Sequence, residues 1–230
     1  MGAIAHFLLR LRVLENMTEM TPIALEDRDE KDGRLFSPSA GRNKAHIAAV
    51  LADILPHGAS VLEVGSGTGE HGIETLLTRP DLRWQFSDPD EKSRQSQAAW
   101  IAHSGVTQKP PLDLNMSDPK SWIPLDPAYD AVFSANMIHI APISALHGLA
   151  KLAEDHVKEG GQVCLYGPFL FGERSATSNI QFDGSLKRRN QDWGVREADF
   201  VKLIFASHGF NTARLRDMPS NNYCLGLSRD

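Results

Sequence analysis

Residues 60–72, SVLEVGSGTGEHG, constrain this chain more than any other stretch. Ser60–Val64 is a run of strand formers too short for a helix. Gly65, Gly67 and Gly69 follow at alternate positions, and HGIETLLTR then carries a helical apolar period. A strand, a glycine turn and a helix in that order build a ligand pocket at the carboxyl edge of a parallel sheet.

The rest of the chain repeats the alternation. SAGRNKAHIAAVLADILP places Ile47, Val50, Leu51, Ile54 and Leu55 on one helical face, closed by Pro56. LRWQFSD (82–88) is a strand ending in acid, and PDEKSRQSQAAWIAHSG a helix stopped by Gly105. YDAVFSANMIHI contains a strand, SALHGLAKLAEDHVKEGG a helix stopped by Gly160–Gly161, QVCLYGPF a strand and READFVKLIFASHGF a helix. TARLRDMP and NYCLGLSR are two last strands with no helix between them, so they form an antiparallel pair at the end of the sheet. The expected class is α/β, a doubly wound, mostly parallel sheet with an antiparallel last strand. The 230 residues suffice for one core, which places the domain at 35–230. Residues 1–34 read as a flexible N-terminal extension: an apolar start, MGAIAHFLLRLRVLENM, then a charged arm, TPIALEDRDEKDGR.

Two cofactor classes compete for the glycine loop. A dinucleotide fingerprint can be read from Gly67, Gly69 and Gly72, two residues late for a strand ending at Val64. The alternative reads Glu63-Val-Gly-Ser-Gly-Thr-Gly as a cradle for S-adenosylmethionine (SAM). Glycines let the backbone approach the methionyl part with no Cβ in the way. Glu63 would accept loop N–H bonds and add negative potential, and Asp88 at the end of the next strand would accept both ribose hydroxyls. Three functions stay open: a SAM-dependent methyltransferase, a NAD-dependent oxidoreductase of Rossmann type, and a non-catalytic SAM-binding partner protein.

EVGSGTG, Asp88 and PLDLN together resemble the SAM-dependent methyltransferase superfamily, a Rossmann-like fold with a seven-stranded sheet. The resemblance implies that Glu63, Gly65, Ser66, Gly67, Gly69, Asp88, Asp113 and Leu114 line the cofactor site, with Asp113 beside the adenine amine. SPSAGRNK, NMIHI, LYGPF, SNIQFDGSL, DWGVRE and MPSNN are similar to motifs of an uncharacterised methyltransferase-like family filed as a domain of unknown function. In this superfamily the segment before the first strand often folds over the cofactor, which brings in Arg42 and Asn43.

Methyl transfer from a sulfonium is an in-line displacement, so alignment and exclusion of water matter most. Asn136 and His139 follow a strand end close to where the methyl group should lie. Asn136 could hold an acceptor amine or the cofactor, and His139 could act as a general base. Residues 169–195 form a long connection rich in aromatic and polar groups and read as a substrate cover, with Asn179, Phe182, Asp183 and Trp193 its most pointed residues. The acceptor is expected to be a small molecule or a protein group. A net charge of −5 argues against nucleic acid, as does SANMIH in place of the N-P-P-[YF] signature, and SLKRRN reads as a solvated helix face. Cys164 and Cys224 have no metal spacing and read as two reduced, buried thiols of a cytoplasmic protein with no metal. No apolar run is long enough to span a membrane.

Overall fold

The structure, a computed structural model, describes residues 27–122, 125 and 128–229. The apolar start of the extension, residues 1–17, lies outside the described residues.

A hairpin opens the described chain: β1 (Asp29–Lys31) pairs antiparallel with β2 (Arg34–Phe36). Helix α1 (Pro38–Ile54) follows; the Ser37 hydroxyl accepts the Ala40 N–H, and Pro38 occupies the first turn, where its missing N–H costs nothing. Then come β3 (Ser60–Val64), α2 (Glu70–Thr78), β4 (Arg83–Ser87) and α3 (Glu91–Ser104), the last capped by the Asp90 carboxylate and ended by left-handed Gly105. β5 (Tyr129–Ala135), α4 (Ile143–His156), β6 (Val157–Pro168), α5 (Thr177–Arg189), α6 (Ala198–Ala206), β7 (Thr212–Met218) and β8 (Asn222–Ser228) complete the chain.

The main sheet runs β4-β3-β5-β6-β8-β7. β4, β3, β5 and β6 are parallel, while β8 is antiparallel to both β6 and β7. This is the expected mostly parallel sheet with an antiparallel last strand. Among the described residues this sheet has six strands rather than the expected seven; in the place of a seventh edge strand stands one parallel bridge, Ser87 to Leu112. Pro110 and Pro111 precede it, and proline brings no N–H to a ladder.

Alternate residues of the central strands enter two cores. Leu62, Val132, Val163 and Leu227 pack with Leu146 and Leu149 of α4 and Phe205 of α6. Val61, Phe86, Phe133 and Cys164 pack with Ile47 and Leu51 of α1 and Ile73 of α2. Each such side chain, fully buried, contributes roughly 1.5–3 kcal/mol. Gly148 brings α4 directly onto the segment that carries Asp113 and Leu114: a Cβ there would collide with the Met116 carbonyl.

Two readings of the sequence are corrected. Residues 27–34 are not a free arm. Asp32 and Gly33, both at positive φ, turn the hairpin, and it docks on α3. There Ser96 Oγ accepts the Leu35 N–H at 2.8 Å, the Trp100 indole donates to the Leu35 carbonyl at 3.1 Å, and the Arg34 guanidinium lies 5.0 Å above the Trp100 ring. Gly160–Gly161 does not end α4 either. The helix stops at His156, and the glycines sit inside β6 at a register shift against β5. A Cβ on Gly161 would come within 2.8 Å of the Lys158 carbonyl, so the bulge needs glycine.

Candidate cofactor and acceptor site

The carboxyl ends of β3, β4, β5 and β6 carry the candidate site. Gly65, Gly67 and Gly69 have φ of 68°, 55° and 91°, a conformation in which a side chain is strained. A Cβ on Gly65 would lie 2.8 Å from Met137 Cγ. The loop is held from below and from the side. Ser66 N–H donates to the Ser87 carbonyl, Ser66 Oγ accepts the Ser87 N–H, and Gln97 of α3 donates to the Gly67 carbonyl.

Asp88 stands beside this loop at the end of β4 and is 8% exposed. Its Oδ2 accepts the Gly67 N–H at 2.8 Å and its Oδ1 the Asp90 N–H at 2.9 Å. Burial raises its pKa, and those two amides oppose the rise. Arg94 of α3 binds the carbonyls of Asp88 and Pro89 and reaches Asp113 Oδ2 at 3.2 Å, so one guanidinium sets the spacing of the two acids. Leu114 is buried in the core beneath them.

Among the described residues, Glu63 accepts from side chains and not from the loop amides. It is 1% exposed, and its Oε2 accepts the Trp84 indole N–H at 2.9 Å. Gly72 of α2 packs on the same carboxylate, and a Cβ there would come within 2.7 Å of Oε2. Burial pushes the Glu63 pKa up to about 8, against hydrogen bonds from Trp84 and Ser66. The side chain is therefore mostly protonated at neutral pH and adds little negative potential to the loop.

On α1, Arg42 is exposed and Asn43 turns inward. Asn43 Oδ1 lies 2.8 Å from His71 Nε2, and the Asn43 side chain also bonds the Tyr166 hydroxyl. Burial, then the Lys44 charge, lowers the His71 pKa to about 4, so His71 is neutral and gives its Nε2 hydrogen to Asn43. Buried Glu70 ties α1 to this corner by accepting the Ser37 N–H and the Thr68 hydroxyl.

Asn136 follows β5 in the left-handed region, φ 61°, which asparagine tolerates better than most residues. Its N–H donates to the Tyr166 carbonyl. His139 is 1% exposed, edge-on to Phe169, and its Nδ1 accepts the Arg196 N–H at 3.3 Å. Burial, then the Arg196 charge, holds its pKa at about 3. A bond with the Gly194 backbone opposes that fall, and Nε2 has no partner among the described residues. Nε2 and Asn136 Oδ1 both close on Gly167, whose Cβ would lie 2.7 and 3.0 Å from them.

The segment read as a cover contains helix α5. Asn179, 4% exposed, donates to the carbonyls of Phe169 and Asn221 and fastens the helix to β6 and to the β7–β8 turn. Asp183 accepts the Val195 N–H at 2.9 Å and pairs with Lys187 at 2.7 Å. Phe182 is 37% exposed and Trp193 half-buried. Gly194 N–H donates to the His139 carbonyl, so the cover and the strand end below it are bonded together. Among the residues that sequence reasoning missed, Arg28 donates to Ser93 Oγ and lies beside Gly67. Arg94, His71, Tyr166 and Arg196 were missed as well. The quoted motifs LYGPF, DWGVRE and SVLEVGSGTGEHG contain Tyr166, Arg196 and His71; nothing local marks Arg28 and Arg94.

A model of the family described as "Protein of unknown function (DUF938)" matches residues 34–229. The chain belongs to this family. Proteins outside this family share the fold. An O-methyltransferase family protein from Burkholderia thailandensis superposes with a TM-score of 0.70 at 14% identity, over 84% of this chain and 56% of that one. Human N-acetylserotonin methyltransferase, in complex with SAM, superposes with a TM-score of 0.63 at 14% identity, over 83% and 52%. In sequence, the chain is 26% identical over 171 residues to the ribosomal RNA small subunit methyltransferase G of Kineococcus radiotolerans, 73% of this chain and 59% of that protein. The chain thus spans less than two thirds of each. No helix among the described residues is long and apolar enough to cross a membrane.

Proposed function

We propose that this DUF938 chain is a SAM-dependent methyltransferase whose acceptor is a small molecule or a protein group. The observation that carries the reading is the cradle at the ends of β3 and β4: three left-handed glycines, with Asp88 and Asp113 spaced by Arg94. These residues fit the cofactor. The loop backbone from Gly65 to Gly69 would receive the methionyl part, Asp88 the ribose hydroxyls and Asp113 the adenine amine. SAM, when bound, supplies an activated methyl group. The chain's own residues then hold donor and acceptor in line and keep water out. The inserted antiparallel strand β8 separates this sheet from the wholly parallel order of dinucleotide-binding domains and supports SAM over NAD.

His139 is assigned to positioning rather than to base catalysis. Its ring is buried and bonded to the Arg196 amide, and a pKa held down to about 3 by burial leaves it too weak a base to take a proton from an acceptor. Through Gly194 and Arg196 it ties the cover to the strand end that carries Asn136. Asn136 is the polar group left to orient an acceptor.

RNA is the second acceptor class, supported by the partial likeness to ribosomal RNA methyltransferases and by exposed Lys187, Arg188 and Arg189 at the end of α5. Methyl-labelled SAM with separate metabolite, protein and RNA fractions is the test. Label entering the metabolite or protein fraction supports the first reading, and label in RNA alone supports the second. SAM binding without transfer to any fraction would favour a non-catalytic partner protein.

A further inference from the structure

Cys164 and Cys224 take no part in the cradle or the cover. They are separated by 60 positions in sequence, yet their sulfurs lie 2.6 Å apart. The antiparallel register of β6 and β8 sets Cys164 opposite Gly226 and Cys224 opposite Tyr166. Both thiols point to the sheet face covered by α1 and meet across the diagonal. Glycine opposite Cys164 leaves that diagonal clear.

We propose that Cys164 and Cys224 are a peroxide-oxidised dithiol that closes to a reversible disulfide between β6 and β8. The two thiols are not equivalent. Arg216 of β7 lies opposite Cys224, anchored by Asp53 of α1 at 2.7 Å. The Cys164 hydrogen bond favours the thiolate of Cys224 over the opposing effect of burial, with Arg216 adding to it, and the same bond with burial disfavours that of Cys164. Cys224 is also the more exposed, 6% against 1%. It is the attacking sulfur.

The Cys224 thiolate attacks one oxygen of hydrogen peroxide. The O–O bond breaks, the departing hydroxide takes up a proton and leaves as water, and Cys224 becomes a sulfenic acid. The Cys164 sulfur then attacks the Cys224 sulfur. An S–S bond forms, the S–O bond breaks, and a second water leaves with the Cys164 proton. Two electrons pass from the sulfurs to one peroxide, which is reduced to two waters. Tyr166 stands opposite Cys224 and two positions after Cys164 on the same face, so the bond would form beside the Asn43–Tyr166–Asn136 corner of the candidate site.

The test uses the full chain, first reduced, then exposed to a few equivalents of hydrogen peroxide. Catalase stops the reaction before denaturation in excess maleimide. The expected product carries no maleimide, weighs two hydrogens less and yields one peptide linking Cys164 to Cys224. Dithiothreitol should restore two maleimide adducts. C164S should stop at a Cys224 sulfenic acid that dimedone traps. Two maleimide adducts on the peroxide-treated wild type, a sulfinic acid, or a disulfide-linked dimer would overturn the proposal. Failure of dimedone to label C164S would overturn the assignment of Cys224 as the attacking sulfur.

Discussion

Replacing Glu63 by glutamine should make the protein more resistant to alkaline pH. The carboxyl is buried under the glycine loop against Trp84, and burial moves its pKa from an ordinary 4.5 to about 8. The folded chain therefore holds a proton that the unfolded chain has lost, over the window from about pH 4.5 to about 8. Stability contributed by the protonated group is whole below the unfolded value and falls as pH rises through the window. At 1.36 kcal/mol per pH unit the full loss is ~5 kcal/mol, comparable to the whole stability of a marginal domain. Glutamine keeps the shape and an oxygen for the Trp84 indole, and it cannot ionise. Urea unfolding of both proteins at pH 5, 7 and 9 measures the effect, because every other titrating group cancels in the difference. The variant should gain on the wild type by several kcal/mol between pH 5 and 9. Parallel curves would refute the neutral buried acid and would return Glu63 to the role of a charged residue.

Three further outcomes are expected. Gly67→Val should abolish SAM binding in calorimetry, since Gly67 sits at φ 55° where a β-branched residue is strained, while circular dichroism still reports a folded chain. Asp88→Ala should weaken SAM binding by roughly 1–3 kcal/mol, the cost of unmatched buried polar groups, and free the Gly67 and Asp90 amides to faster hydrogen exchange. Asp183→Ala should leave SAM affinity within about threefold, under the tenfold that 1.4 kcal/mol represents, and should speed exchange at Val195 N–H, which Asp183 now holds.

Much of the geometry of the candidate site was legible because it is local. The strand, the three glycines and Asp88 lie within one short stretch each, and the terminal strand pair follows from the absence of a helix between them. What escaped the sequence depends on distance. Trp84, 21 positions from Glu63, is what buries that acid, and the two cysteines become neighbours only through the β6–β8 register. The hairpin at 29–36 was hidden by its charge, although Asp32–Gly33 is a turn signal and Leu35 and Phe36 supply the apolar contact. Helix α5 was read only at its end, in SLKRRN, because only Asn179 and Leu186 of it are buried, which leaves little apolar period to read. The surroundings of His139 could not be read from its position either; Arg196 and Gly194, more than 50 positions away, are what enclose its ring.

The central claim is that the cradle of Gly65 to Gly69 and Asp88 accepts SAM. Isothermal titration calorimetry of the full chain with SAM, S-adenosylhomocysteine and NADH tests it directly. Saturable one-to-one heats with the first two ligands and none with NADH are predicted. Binding of NADH, or no heat with SAM at millimolar concentration, would contradict it.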